Sequence, residues 1–153
     1  MNEIALNKKQ IKEFQNNRDP YLMMDFATKV IPGESSEGYK ILKDDEWFFE
    51  VHWPDDPNMP GMLQVEALVQ MASLSIVTLP GLKNKILYLT SADKLKFYKK
   101  IVKGDKLKLV TKVLFWKRGI GKFCGEGFIG ENLAVKAEFS LVLPELINKY
   151  KKK

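Results

Sequence analysis

The segment Met62 to Leu79 constrains the fold more than any other. It is apolar at twelve of its eighteen positions, and those positions are not confined to one face of a helix. Pro60-Gly61 stands where a first helical turn accepts proline, and Pro80-Gly81 closes the run. The spacing predicts a helix about 27 Å long at 1.5 Å per residue. A helix that is apolar nearly all round must be enclosed on most sides. Its polar residues Gln64, Glu66, Gln70, Ser73, Ser75 and Thr78 argue for a buried core helix rather than a membrane span.

The rest of the chain supplies the enclosure. Phe26 to Ile31 and Gly38 to Leu42 read as two strands joined by a turn rich in Gly and Ser. Lys85 to Thr90, Leu95 to Tyr98, Lys106 to Trp116, Gly121 to Ile129 and Leu133 to Leu143 are β-branched and aromatic runs punctuated by turn residues. Leu6 to Phe14 has the pattern of a weak amphipathic helix, and Pro20 ends any helix there. The fold class expected is α+β, a long central helix wrapped by a curved antiparallel sheet. At 153 residues this is one domain, 1–153, with a core over about 15–143 and a basic, solvated tail at 144–153 that includes Lys149, Lys151, Lys152 and Lys153. Such a sheet covers only part of the helix, so the uncovered flank and any edge strand predict a symmetric dimer.

Composition narrows the chemistry. With 45% hydrophobic and 29% charged residues the profile is that of a soluble globular protein, and Met1 to Gln15 lacks an apolar core of signal-peptide length, which predicts a cytoplasmic location. Cys124 is the only cysteine, so there is no internal disulfide and no multi-cysteine zinc site, and one histidine excludes a multi-histidine metal centre. The net charge of +6 points to an acidic partner without choosing among nucleic acid, anionic lipid and an acidic carrier protein. Gly125-Glu126-Gly127-Phe128-Ile129-Gly130 spells a dinucleotide fingerprint but is followed by strand residues rather than a helix, so these glycines are assigned to turns and bulges.

Between Lys43 and Lys83 there is no Lys or Arg, although the chain has 25 of them, and from Pro57 to Leu82 Glu66 is the sole formal charge. A lone acid in an apolar segment costs stability unless paired, and such residues are often functional. His52 lies just before a loop stiffened by Pro54, Pro57 and Pro60 that ends at the helix start, where backbone N–H groups are unpaired and Gly61 permits close approach. A neutral imidazole base, an oxyanion donor and a carboxylic acid kept protonated by its surroundings are the three parts needed to remove a proton next to a carbonyl. The plainer reading of Glu66 is a member of a buried polar network with Gln64 or Gln70, and that of His52 is a structural histidine.

The stretch His52-x-Pro54-x-x-Pro57-x-Met59-Pro60-Gly61, with Glu66 and Gln70 following, resembles the FabZ-type (3R)-3-hydroxyacyl-acyl carrier protein dehydratases. Asn17-Arg18-Asp19-Pro20-Tyr21-Leu22-Met23-Met24-Asp25, Asp93-Lys94-Leu95-Lys96-Phe97 and Val102-Lys103-Gly104-Asp105-Lys106-Leu107 are similar to further segments of that family, and the likeness runs over roughly residues 15 to 143. The resemblance implies a hotdog fold, a cofactor-free and metal-free hydro-lyase of fatty-acid synthesis, and an acyl carrier protein as partner. It also implies a homodimer, commonly built into a trimer of dimers, whose sites take histidine from one chain and acid from the other. By this carry-over His52 removes the C2 proton, Glu66 protonates or orients the departing 3-hydroxyl, and the Gly61 N–H holds the thioester oxyanion. Met59, Pro60, Trp53 and Gln70 then lie on the substrate side. Lys94, Lys96, Lys99 and Lys100 are the candidate contacts for the acidic carrier, against the simpler reading of a solvated lysine face.

Three positions depart from the pattern of the family. Asn17 replaces a histidine, Val51 a glycine and Trp53 a phenylalanine. The last two add bulk beside the base, which implies a narrower acyl tunnel or a changed chain-length preference, as in a specialised paralogue. Two further enzyme readings share the fold, a thioesterase and an enoyl-thioester hydratase, and so does a non-catalytic acyl-carrier-binding module. Binding alone has no use for His52, Gly61 and Glu66 together. A nucleic-acid binder is supported only by charge, and neither nucleic-acid binding nor a membrane span is expected.

Overall fold

The computed structural model describes residues 2–152, so Met1 and Lys153 of the basic tail lie outside the described residues. Seven strands and three α-helices follow in the order β1 (Ile4–Asn7), α1 (Lys8–Phe14), β2 (Phe26–Ile31), β3 (Ser35–Ile41), α2 (Gly61–Val77), β4 (Tyr88–Phe97), β5 (Lys106–Lys117), β6 (Ile120–Ile129), β7 (Asn132–Val142) and α3 (Pro144–Lys151). The strands make one sheet in the order β1-β2-β3-β5-β6-β7-β4, with every neighbouring pair antiparallel. This is the hotdog architecture, with α2 as its filling.

Twelve of the seventeen residues of α2 are buried, as an almost continuously apolar sequence requires. Glycines let the helix come close to the sheet. A Cβ on Gly38 of β3 would lie 2.6 Å from Met71 Cε and 2.1 Å from the Phe26 carbonyl oxygen, and one on Gly125 of β6 would press on Leu68 at 3.2 Å. Ser36 and Thr111 share a buried hydrogen bond of 2.7 Å across β3 and β5, and the Ser36 hydroxyl also donates to the Met71 carbonyl of α2. Of the glycines in the false dinucleotide fingerprint, Gly130, at φ +60°, turns the chain between β6 and β7, Gly127 stands where the register of β6 shifts against β7, and Gly125 makes room inside the strand for Leu68.

Four boundaries differ from expectation, each for a local reason. The helix expected over Leu6 to Phe14 begins at Lys8, because Leu6 and Asn7 close the strand Ile4 to Asn7 paired with β2. Asn7 begins α1 by a reciprocal cap, its side chain accepting the Gln10 N–H at 2.9 Å while the Gln10 side chain accepts the Asn7 N–H at 2.9 Å. β3 begins at Ser35, because Ser35 to Glu37 pair with Lys112 to Val110 of β5. The two strands expected over Lys85 to Tyr98 are one strand, β4, broken in register where Lys94 adopts φ 52°. The tail is not a frayed end over its length: Pro144 opens α3, and Glu145 pairs with Lys85 at 2.7 Å.

β4 forms one edge of the sheet and stays open to solvent, with Tyr88 56% and Phe97 47% exposed. The flank of α2 that carries Met62, Glu66 and Ser73 is also uncovered. No helix among the described residues is long and apolar enough to cross a membrane.

Candidate active site

His52 follows a single 3-10 turn, Trp47–Phe49, that buries Phe48 and Phe49. Its backbone N–H donates to the Phe48 carbonyl at 2.9 Å, and its own carbonyl accepts the Asn58 N–H at 3.1 Å, so the proline-rich segment between them forms a closed loop. The ring is oriented by Nδ1, which stands 3.2 Å from the Asn58 carbonyl oxygen. A carbonyl can only accept, so in the neutral imidazole Nδ1 carries the hydrogen and Nε2 carries the free lone pair of a base. The Trp53 ring lies against the imidazole with centroids 4.2 Å apart and planes tilted by 30°. Val51 and Trp53 are both largely exposed in the single chain.

Eight residues after His52 the chain enters α2. Pro60 caps the helix without a side-chain hydrogen bond, and its carbonyl accepts the N–H groups of Leu63 and Gln64 at 2.9 and 3.0 Å. The N–H groups of Gly61 and Met62, in the first turn, have no intrahelical acceptor and point outward along the axis, as an oxyanion site requires. The Cα of Gly61 is packed against the ring of Phe97, where a Cβ would stand 2.9 Å from Cε1. The space that glycine opens is therefore filled by Phe97 in the single chain. Met59 is fully buried, and its N–H donates to the Ile101 carbonyl at 2.8 Å.

Glu66 is half-buried on the uncovered flank of α2, in a cleft of about 270 Å³ that also shows Asn17, Gln70, Ser73, Lys85 and Tyr88. Burial pushes its carboxyl above the usual range, opposed by a hydrogen bond from Gln70. Gln70 Nε2 gives one hydrogen to Glu66 Oε1 at 2.9 Å and the other to the Tyr21 carbonyl at 2.9 Å, while Gln70 Oε1 accepts the Met23 N–H at 2.7 Å. Both amide hydrogens and the amide oxygen are engaged, so its orientation is fixed. The Tyr21 hydroxyl is raised by burial and then by the charge of Glu66. His52 and Gly61 do not line the Glu66 cleft. One chain thus keeps Glu66 in a cleft that neither His52 nor Gly61 lines.

The FabA-like domain family matches residues 16–138. The chain belongs to the FabA-like family. Among curated relatives, the 3-hydroxyacyl-[acyl-carrier-protein] dehydratase FabZ of Clostridium novyi is 40% identical over 121 residues, covering 78% of this chain and 85% of the relative. The protein of the same name from Alkaliphilus metalliredigens is 38% identical over 140 residues, covering 92% and 95%. Among solved structures, the dehydratase heterocomplex ApeI:P from Xenorhabdus doucetiae aligns with a TM-score of 0.75 at 13% identity, over 94% of this chain and 97% of that one. Cj0977, a sigma28-regulated virulence protein from Campylobacter jejuni, aligns at 0.63 and 13% identity, over 88% of each chain. At these identities the structural likenesses speak to the hotdog fold alone.

For this member of the FabA-like family the four lysines do not form one patch. Lys99 and Lys100 line a cleft with Gly61 and Phe97, Lys94 borders a groove on the outer sheet face beside Cys124, and Lys96 is exposed on β4. Lys94 reaches Glu138 at 3.4 Å and Lys100 reaches Asp56, so Lys96 and Lys99 are the two without a carboxylate partner among the described residues. The expected network of Glu66 involves Gln70 but not Gln64, whose Nε2 donates instead to the Met59 carbonyl at 2.9 Å. Asn17 borders the Glu66 cleft directly. No periodic signal marks the backbone groups of Tyr21 and Met23, because a loop that donates and accepts through its main chain has no required side chain.

Proposed function

We propose that this chain dehydrates (3R)-3-hydroxyacyl thioesters of acyl carrier protein to trans-2-enoyl thioesters, in a site completed by a second copy of itself. The observation that carries the reading is His52 Nδ1 on the Asn58 carbonyl, which leaves Nε2 with the free lone pair of a base. The FabZ names of the curated relatives support the substrate. His52 takes the C2 proton while the Gly61 N–H bears the negative charge that grows on the thioester oxygen. The C2 electron pair then forms the double bond as the C3–O bond breaks, and protonated Glu66 of the partner subunit gives its hydrogen to the departing hydroxyl, which leaves as water. Proton return from the imidazolium to the carboxylate through solvent resets the pair.

A second copy is required because the acid of one chain faces a different cleft from its own base. The uncovered flank of α2 and the open edge of β4 are the two surfaces such a copy would cover. Turnover of a carrier-bound 3-hydroxyacyl substrate to the enoyl product, with no free thiol released, tests the reaction and separates it from thioester hydrolysis. Mixing tests the shared site. His52→Ala and Glu66→Gln chains, each inactive alone, are expected to recover about a quarter of wild-type activity after unfolding and refolding together, since half of randomly formed dimers are mixed and each has one intact site. No recovery in refolded mixed dimers would place both groups in one chain and overturn the shared site.

Lys96 and Lys99 are the proposed electrostatic contacts for the acidic carrier. Reversing both to Glu is expected to raise KM for the carrier-bound substrate about tenfold at low salt, with kcat little changed and the difference shrinking as salt rises. An unchanged KM at every ionic strength would remove these two lysines from the docking surface.

A further inference from the structure

Among the described residues one buried side-chain atom lacks a hydrogen-bond partner, the Oε1 of Gln64. Gln64 is 4% exposed in the first turn of α2. A buried acceptor left in that state costs folding free energy, and a methionine of similar length would fill the position without the loss. Packing therefore does not explain a glutamine here, but the other end of its amide does. Nε2 donates to the Met59 carbonyl at 2.9 Å.

Met59 is the residue after Asn58, whose carbonyl orients His52. Its N–H is held by the Ile101 carbonyl and its C=O by the Gln64 side chain of α2. The backbone N–H of Gln64 donates to the Pro60 carbonyl at 3.0 Å. A single residue thus grips the chain on both sides of the Met59–Pro60 bond, between the acceptor that orients the base and the N–H that faces the oxyanion.

We propose that Gln64 is a positioning residue for His52: it locks the Asn58–Met59 segment so that Nδ1 stays on the Asn58 carbonyl and Nε2 faces the substrate. The link tolerates an orphaned oxygen because the amide nitrogen has to reach Met59. The kinetic part of this inference rests on the dehydratase reading, whereas the geometric part does not.

His52 is the only histidine in the chain, so labelling histidine with 15N reports on one imidazole without assignment. In the wild-type protein near pH 8 the ring is expected to show one protonated and one lone-pair nitrogen. In Gln64→Met the two signals should move toward each other as the tautomers exchange. The melting temperature should stay level or rise, and kcat should fall about tenfold with KM within about twofold. Gln64→Leu, which offers no donor to the Met59 carbonyl, serves as the second variant should Gln64→Met not be recovered folded, with the same signals expected. Unchanged nitrogen signals in a folded variant would overturn the proposal, as would a kcat within twofold of an active wild type. If the wild-type protein turns over no substrate, the dehydratase reading fails and the nitrogen signals alone decide the role of Gln64.

Discussion

His52→Ala is expected to lower turnover about 1,000-fold while leaving the fold intact. Placed general bases contribute roughly 100- to 10,000-fold, and no second histidine exists to take over. The stability cost should be small. The ring is only half-buried and contributes one hydrogen bond to the Asn58 carbonyl and one tilted ring contact with Trp53, whereas the loop itself is closed by main-chain bonds between Phe48, His52 and Asn58 that alanine keeps. Steady-state kinetics on a carrier-bound 3-hydroxyacyl substrate, together with an unchanged circular dichroism melt, checks both halves. A variant that stays fully active would remove the base from the mechanism.

Glu66→Gln should lower kcat about 100-fold or more and yet should not destabilise the protein at neutral pH. The carboxyl titrates above its ordinary value of 4.5 because burial disfavours its charge. Across the window between the unfolded and folded values the folded state holds a proton that the unfolded chain has released, so stability falls as pH rises through that window. Above it the ionised carboxylate is a standing cost, and glutamine removes it. The melting temperature of the variant at pH 7 is therefore expected to equal or exceed that of the wild type, with the difference shrinking as pH falls toward 4.5. A marked loss of stability at neutral pH would show that ionised Glu66 is held by partners stronger than Gln70.

How far the sequence foretold this structure depended on whether a residue acts through its side chain. The central helix was legible because Pro60-Gly61 and Pro80-Gly81 bracket an apolar run, and the observed limits, Gly61 to Val77, fall within two residues of those expected. β2 was legible for the same reason, as a short apolar run ending at Pro32. What escaped was decided by pairing. Leu6 and Asn7 read as helix but close a strand paired with β2, polar Ser35 to Glu37 become strand because β2 and β5 lie on either side of them, and the break in β4 comes at Lys94, whose φ is 52°. The residues of the site were legible as types, a lone histidine and a lone acid. Their connection through Asn58, Met59 and Gln64 was not, since two of the links are main-chain carbonyls that any residue supplies.

The fixed amide of Gln70 has a stereochemical consequence. Because its nitrogen is always presented to Glu66 Oε1, the carboxylic hydrogen belongs on Oε2, and the acid offers its proton in one direction only. The base is similarly one-sided, with Nδ1 committed to the Asn58 carbonyl. In the shared site proposed above, two proton-transfer groups with fixed directions would make a chiral receptor. A 3-hydroxyacyl chain can align its C2 hydrogen with one and its hydroxyl with the other in a single hand, and the mirror-image alcohol would bind with its oxygen turned away from the acid.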